Sequence, residues 1–190
     1  MTEKIFVTVV NHLAVDITAS PDAVWHAILD EFVDGKKLWE VIKVEPIDDP
    51  CAVLGGYRMR REHEGIVDER VIHFTERDDA ARRLSIFADC LTIPAGGMKV
   101  WVTYQAQEIP GGARYAIDCH SRPSIEAPAS GAKADIASVI AEMKAGSDTA
   151  LLAYLGSVKA RLESAGFPGS SRRTGVAEAG CVALGKSSQV

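Results

Sequence analysis

The sequence predicts a single α+β domain in which a curved antiparallel β-sheet of about six to seven strands wraps around one long C-terminal α-helix. Hydrophobic residues alternate with a period of two from about residue 42 to residue 122. The connectors within this stretch are short and rich in turn residues, so neighbouring strands must be antiparallel, because a parallel crossover needs about a dozen residues. One uninterrupted helical pattern then runs from about residue 132 to residue 164.

The N-terminal part of the chain predicts a strand followed by a short helix. Residues 4–17 contain the run IFVTVVNHLAVDI, which is dense in β-branched residues. In the following segment TASPDAVWHAILDEF, Ser20 is a helix N-cap, Pro21 takes the first helical position, and Asp22 complements the positive end of the helix dipole. Gly35 is expected to end this helix. One apolar face at helical spacing consists of Val24, Trp25, Ile28, Leu29 and Phe32.

Six strands and the long helix complete the predicted domain. The strands are expected at Val41–Ile47, Tyr57–His63, Ile66–Thr75, Leu84–Leu91, Met98–Glu108 and Ala113–Arg122. The long helix has one stripe, formed by Ile136, Val139, Ile140, Met143, Ser147, Leu151, Tyr154, Val158 and Leu162. Residues 1–165 are therefore expected to form the domain. Residues 166–190, rich in Gly, Ser and Arg, are expected to form a flexible tail.

Composition excludes several classes of function. The chain has 190 residues, 47% of them hydrophobic and 25% charged, with a net charge of −5. An acidic chain is unsuited to nucleic acid or to an anionic membrane, and no apolar run approaches the roughly 18 residues of a membrane helix. The four cysteines are scattered, without a CxxC or Cys/His cluster, so we predict no metal site and no cofactor. Reduced thiols indicate a cytoplasmic protein.

Three stretches resemble the START/Bet v 1-like superfamily, also called SRPBCC. They are VDITASPDAVWHAILDEF, VDERVIHFTERDDAARRLSIF and SVIAEMKAGSDTALLAYLGSVKARLES. The second is similar to an E-R strand pair in plant hormone receptors and in bacterial polyketide cyclase/dehydrase-like members. The resemblance covers roughly residues 4–164 and implies the helix-grip fold, with an apolar cavity between sheet and helix. Members include lipid carriers, hormone receptors, aromatase/cyclases, lyases and Hsp90 co-chaperones, so the fold does not fix the chemistry.

Alternation predicts which side chains of the last two strands face the cavity. Along Met98–Ala106, one face is mostly apolar and is expected to point inward; it contains Met98, Val100, Val102 and Tyr104. In the last strand Ile117 and Cys119 are expected to point inward, and Asp118 and His120 outward.

The strand Ile66–Thr75 is ambiguous by pattern alone. Matching its E-R pair to the receptor-like members implies that Glu69 points inward. The same match gives an inward set of Val67, Val71, His73, Phe87 and Asp89, and by parity Tyr57, Met59, Arg61 and His63. A polar cluster of Glu69, Arg61, His63, His73, Asp89 and Tyr104 would then line an apolar wall. The alternative interpretation leaves Glu69 and Arg70 at the rim or surface, in cross-strand ion pairs worth under about 1 kcal/mol.

Three functions remain open. The first is a carrier or sequestering protein for a small hydrophobic or aromatic molecule. The second is a cofactor-free cyclase, dehydratase or lyase that uses general acid–base catalysis, and the third is an Hsp90 co-chaperone-like interaction module. The predicted catalytic residues are Glu69, His73 and Asp89. The predicted ligand-binding residues are Met59, Arg61, Val71, Phe87, Met98, Val100, Val102, Tyr104, Ile117, Cys119, Met143 and Tyr154. The protein is expected to be a monomer or a homodimer.

Overall fold

A computed structural model describes residues 4–33, 43–47, 52–63, 65–92, 97–127 and 133–165. The elements within these ranges are β1 (Lys4–Phe6), β2 (Val9–Ile17), α1 (Pro21–Phe32), β3 (Lys43–Pro46), β4 (Gly56–His63), β5 (Ile66–Asp78), β6 (Arg83–Cys90), β7 (Met98–Ile109), β8 (Gly112–Glu126) and α2 (Lys133–Ala165). The predicted fold class is confirmed: a curved antiparallel sheet is combined with a long C-terminal helix. Gly35 and residues 166–190 lie outside the described residues.

The sheet is a meander that the N-terminal strands extend. Strands β3 to β8 are hydrogen-bonded in sequence order, and β8 pairs with β1 and β2 on its other edge. Phe6 of β1 stands opposite Ser124, and Asn11 of β2 stands opposite Cys119. Between the two strands the buried Val7 donates its backbone N–H to the carbonyl of Pro123 at 3.2 Å. The predicted N-terminal strand is therefore present and is divided into two parts.

The hairpin between β7 and β8 turns on two glycines with different roles. Gly111 has φ +83°, a conformation that side chains with a Cβ rarely adopt. Gly112 lies so close to β2 that an added Cβ would be 2.1 Å from the carbonyl oxygen of Ile17. The hairpin tip is thus packed directly against the end of β2.

Helix α1 forms as the sequence predicts. The Ser20 side chain accepts a hydrogen bond from the backbone N–H of Ala23 at 3.2 Å, and proline occupies the first turn. The residues Val24 and Ile28 are fully buried against the sheet. Trp25 is also buried, and its indole N–H donates to Asp79 at 3.2 Å. Trp25 is therefore a core residue with its polar atom satisfied.

Helix α2 runs along β2, at one side of the sheet. Its contact with β2 centres on Asn11, which is fully buried. The amide nitrogen of Asn11 donates to Asp148 at 2.7 Å, and its amide oxygen accepts from the Ser147 hydroxyl at 3.2 Å. Leu155 and Val158 are the buried apolar residues of this helix. Neither described helix has the length and apolar character needed to cross a bilayer.

Polar contacts also fix the C-terminal half of α2 to the end of β2. Lys159 donates to the backbone carbonyl of Asp16 at 2.7 Å, and the backbone N–H of Thr18 donates to Glu163 at 2.9 Å. Together with Asn11, these contacts set the position of the helix relative to the sheet.

Candidate functional site

The two faces of the sheet differ in burial and composition. Strand register places Ile72, Ala88, Val100 and Ser121 in one row across four strands, on the face toward the helices, which we call the inner face. Ile72 and Ala88 are buried, and Val100 packs against the core. The opposite, outer face carries the intervening residues. This division decides which predicted site residues can meet a ligand between sheet and helix.

The orientation of β5 that the resemblance implied is wrong. Ile72 is 4% exposed and points inward, so Glu69, Val71 and His73 point outward. Side chains alternate along a strand, and a shift of one residue exchanges the two faces completely. The residues of β5 that reach the inner face are Ile66, Asp68, Arg70, Ile72 and Phe74.

The neighbouring strand β6 corrects two further predictions in the same way. Its buried residues are Leu84, Ile86, Ala88 and Cys90. Phe87 and Asp89 lie between them in sequence and therefore point outward, contrary to the orientation that the resemblance implied.

The polar groups of these strands form ion pairs on the outer face. Glu69 is 3.2 Å from the guanidinium of Arg58, and Asp89 is 3.3 Å from the ammonium of Lys99. The ring of His73 lies 5.9 Å from the ring of Phe87. The alternative interpretation of β5 is therefore confirmed for Glu69 and wrong for Arg70, whose side chain lies on the inner face and bonds Asp68 of the same strand. The three predicted catalytic residues thus lie outside the space between sheet and helix.

The predicted ligand-binding residues other than Val71 and Phe87 lie on the inner face of the sheet or on α2. Strand register places the following on the inner face: Met59, Arg61, Met98, Val100, Val102, Tyr104, Ile117 and Cys119. Met143 and Tyr154 are half-buried on α2. His120 is exposed on the outer face, as alternation predicts. The side chain of His63 lies outside the described part of the chain.

A cluster of three charged residues lies on the inner face of β4 and β5. Arg70 holds Asp68 with two hydrogen bonds, of 2.8 and 2.5 Å, and both side chains are mostly buried, with 21% and 13% of their surfaces exposed. Arg61 stands directly opposite Asp68. Its Nε is buried without a hydrogen-bond partner among the described residues. Two guanidinium groups and one carboxylate give this cluster a formal charge of +1.

Three tyrosines form a second polar feature on the inner side. The hydroxyls of Tyr115 and Tyr154 are 3.2 Å apart, which joins β8 to α2. The Tyr104 ring stacks on Phe32 of α1, with ring centres 4.1 Å apart. All three tyrosines therefore lie between the sheet and the two helices.

The environment keeps every tyrosine hydroxyl protonated. Burial raises the pKa of Tyr57 to about 12, and raises the pKa values of Tyr104, Tyr115 and Tyr154 as well. The carboxylate of Glu31 on α1 raises all four further. These phenols are neutral hydrogen-bond donors at physiological pH rather than bases.

Coverage of the inner face is uneven. Near α1, inner-face residues such as Leu84 and Ile117 are fully buried. Met98 and Val100, although on a central strand, remain half-exposed. Among the described residues, the closest backbone contacts of α2 are with β2, and those of α1 are with β7 and β8. The half-exposed side chains of Met98 and Val100 and the Arg61 cluster thus border one region of the inner face, and we use the word hollow for this region.

A separate open concavity of about 410 Å³ lies at the opposite end of the sheet. It is lined by Thr18, Ala19, Ser20, Pro21, Glu108, Ile109, Gly111 and Gly112. None of the predicted site residues contributes to it, and its lining lacks the apolar wall of the hollow.

Sequence reasoning missed Asp68, Arg70 and Glu31. For Glu31 a signal exists, since it follows Ile28 by three residues and so lies near the buried face of α1. For Asp68 and Arg70 the signal is their spacing of two, which puts opposite charges side by side on one strand face. That spacing does not say which face is buried.

No protein-family model matches the sequence, and no curated protein sequence matches it significantly. Solved structures do match. The aromatase/cyclase ZhuI from Streptomyces sp. R1128 aligns with 18% identity and a TM-score of 0.53, over 84% of this chain and 99% of its own. The Mll3558 protein of Rhizobium loti aligns with 16% identity and a TM-score of 0.51, over 80% of this chain and 98% of its own. The di-domain aromatase/cyclase BexL aligns with 21% identity and a TM-score of 0.51, over 82% of this chain and 50% of its own. The chain therefore shares the helix-grip fold of these proteins.

Proposed function

We propose that the protein binds a small hydrophobic or aromatic molecule in the hollow, and that a negatively charged group of this molecule is held by Arg61. The observation that carries the proposal is the buried Nε of Arg61, which has no hydrogen-bond partner among the described residues. A buried donor without a partner is unfavourable by about 1–3 kcal/mol, and more when it is charged. A ligand that supplies the acceptor removes this penalty.

The remaining cluster favours an anion at this position. Asp68 is already engaged by Arg70 through two hydrogen bonds. Arg61 therefore keeps a positive charge that the cluster itself does not neutralise. Its planar guanidinium suits a carboxylate, sulfonate or phosphate, because it can donate two parallel hydrogen bonds.

The apolar wall accounts for the rest of the ligand. Met98 and Val100 offer half-exposed apolar surface on the inner face. Burying such surface contributes about 25 cal/mol per Å² before the unfavourable terms of binding are subtracted.

A fluorescent probe with both features tests the proposal. The dye 8-anilinonaphthalene-1-sulfonate combines aromatic rings with a sulfonate, and its emission rises in an apolar site. We expect saturable binding to the native protein, and an affinity about 10- to 100-fold weaker for Arg61→Met, which keeps the chain length but removes the charge. Arg60→Met is the matched control, since Arg60 is the adjacent residue on the outer face and is exposed.

The comparison of the two variants decides the outcome. An unchanged affinity of Arg61→Met, or an equal loss in both variants, would contradict the assignment of the anion site. Circular dichroism and thermal melting of each variant show whether the fold is retained.

A second candidate function is a cofactor-free cyclase, dehydratase or lyase. The hydroxyl pair of Tyr115 and Tyr154 favours it, because neutral phenols in a buried site stabilise negative charge that develops on a carbonyl oxygen. Such a mechanism would not use Glu69, His73 or Asp89, which face outward. Native mass spectrometry of freshly purified protein separates the two functions: a carrier releases the molecule it bound unchanged, whereas an enzyme releases one of altered mass or isomeric structure.

A further inference from the structure

A row of aromatic side chains crosses the outer face of the sheet. It consists of His73, Phe87, Trp101 and His120, which stand opposite one another on β5, β6, β7 and β8. Ring centres are 5.9 Å apart for the first pair and 5.2 Å apart for the second. Trp101 is 41% exposed. In the described ranges both helices lie on the inner side, so this row has no covering element.

Charge is distributed unequally on the two sides of the aromatic row. In the row next to it, toward the β6–β7 connection, strand register places Arg58, Lys99 and Arg122, with Asp89 as the carboxylate of that row; Arg58 is also paired with Glu69, one outward position further along β5. In the adjacent row on the other side the charged residues are Glu76 on β5 and Asp118 on β8, and Glu76 is paired at 3.1 Å with Arg83, one outward position further along β6. The two rows directly beside the aromatic row therefore have opposite formal charges, and we call them the basic side and the acidic side.

Arg122 stands out within the basic side. It is directly opposite Lys99 across β7 and β8, and like charges in this position destabilise a strand pair. Lys99 is paired with Asp89 at 3.3 Å. Arg122 lies over the ring of Phe6 at 5.8 Å, and among the described residues no carboxylate forms an ion pair with it. The position is suited to a carboxylate from another molecule.

We propose that the outer face is the interface of a homodimer, in which a second copy of the chain packs face to face along the aromatic row. If the two-fold axis runs along the row, each basic side meets the acidic side of the other copy, and Trp101 meets the partner's Trp101. An axis parallel to the strands would instead bring the two basic sides together. The arrangement with the axis along the row is self-complementary, as a two-fold interface requires.

The same symmetry assigns one ion pair. Arg122 and Asp118 are on the same strand, one on each side of His120. A rotation about the row places Arg122 against the partner's Asp118, and the pair occurs twice. Asp118 also bonds His12 at 2.6 Å, which leaves lone pairs of its carboxylate available.

The size of the surface indicates a weak dimer. Neighbouring strands are about 4.8 Å apart, and successive outward residues of one strand are about 6.7 Å apart. The aromatic row and the row on each side of it, on four to five strands, therefore cover roughly 400 Å² per copy. Standard stable interfaces bury about 800 Å² per partner. We therefore expect reversible association with a dissociation constant in the micromolar range, independent of any ligand in the hollow.

Sedimentation velocity of the full chain over a concentration series tests the proposal. The native protein should shift from monomer to dimer as concentration rises. Trp101→Ala should weaken the dimer about tenfold or more, as expected for a central aromatic residue of an interface. Leu152→Ala is the matched control, because Leu152 is an exposed apolar residue on α2, and it should leave the dissociation constant unchanged.

A charge exchange tests the orientation of the two copies. Arg122→Asp and Asp118→Arg should each weaken the dimer, because each puts like charges in contact, and the double variant should restore it. A native protein that is monomeric throughout the series, or a dimer that is insensitive to Trp101→Ala, would overturn the proposal. Failure of the double variant to recover would overturn the assigned axis.

Discussion

Asn11 is the one fully buried polar residue identified among the described residues, and its removal is expected to destabilise the protein strongly. Replacement by alanine deletes the hydrogen bond to the Asp148 carboxylate and the hydrogen bond from the Ser147 hydroxyl. A hydrogen bond to a charged group contributes about 1.5–3 kcal/mol and one between neutral groups about 0.5–1.5 kcal/mol. The Asn11→Ala variant should therefore lose about 3 kcal/mol of unfolding free energy.

Urea denaturation followed by circular dichroism measures this loss. For a chain of this size, about 3 kcal/mol corresponds to a decrease in Tm of roughly 6–12 °C. Ser147→Ala is the control, since it removes only the neutral hydrogen bond and should lose about 1 kcal/mol. A loss below about 0.5 kcal/mol in Asn11→Ala, the range of ordinary surface substitutions, would refute the assignment of Asn11 as the anchor of α2.

The same contact depends on pH with a definite sign. Hydrogen bonds from Lys144 and then Asn11 lower the pKa of Asp148 below its ordinary value. A carboxylate whose pKa is depressed in the folded state contributes stability above its unfolded pKa and loses it as pH falls through the folded pKa. The difference between native protein and Asn11→Ala should accordingly decrease below about pH 4.

Three further outcomes are expected. The four tyrosines have raised pKa values, so titration of the native protein at 295 nm should show no ionisation near pH 10; a full transition there would contradict their burial. The phenols favour the folded state below pH 10, and this stability should be lost as pH rises above it. Gly111→Ala should lose only about 1–2 kcal/mol of unfolding free energy, because of the positive φ at this position. Gly112→Ala should prevent folding or lose far more, because its Cβ would clash with the carbonyl of Ile17. Equal losses of the two variants in denaturant titrations would contradict this close approach. Gly156→Ala should stabilise α2 by about 1 kcal/mol, because an added Cβ there meets no atom within 4 Å; a lower Tm would show that the site is crowded.

Much of the fold was predictable from local signals. The predicted limits of α2, 132 and 164, each differ by one residue from those found, because a stripe at helical spacing is a local signal. The N-cap Ser20 was identified correctly for the same reason. Strand limits also agree closely, since each connector carries its own turn chemistry.

Local signals did not predict which side chains of β5 point to the inner face. Both faces of this strand carry β-branched residues, Ile72 on one and Val71 on the other. The inner face also contains Asp68 and Arg70, which are acceptable there because they neutralise each other, and the formation of that pair is a tertiary event. A β-bulge between Phe74 and Glu76 shifts the register. Even-numbered residues therefore point inward before the bulge and outward after it.

The error in β5 carried into the candidate site. Tyr104 was assigned correctly to the inner face because apolar and polar residues alternate clearly along β7. Arg61 also lies on the inner face, although it was placed there by parity from the E-R match, whose orientation of Glu69 is wrong. The E-R match placed Glu69 inward, and Phe87 and Asp89 followed from it. A motif aligned by residue type carries no information on strand parity when a bulge lies a few positions away.

The pairing of β2 with β8 has a consequence for biosynthesis. Val9 stands opposite Ser121, so a ribosome adding about 5–20 residues per second needs about 6–22 s to make the second strand after the first. Throughout that interval the newly made N-terminal strand has no partner edge, and its apolar side chains are available for association with other chains. Chaperone capture during translation is therefore expected at this segment rather than at the later hairpins, whose strands meet their neighbours within a few residues.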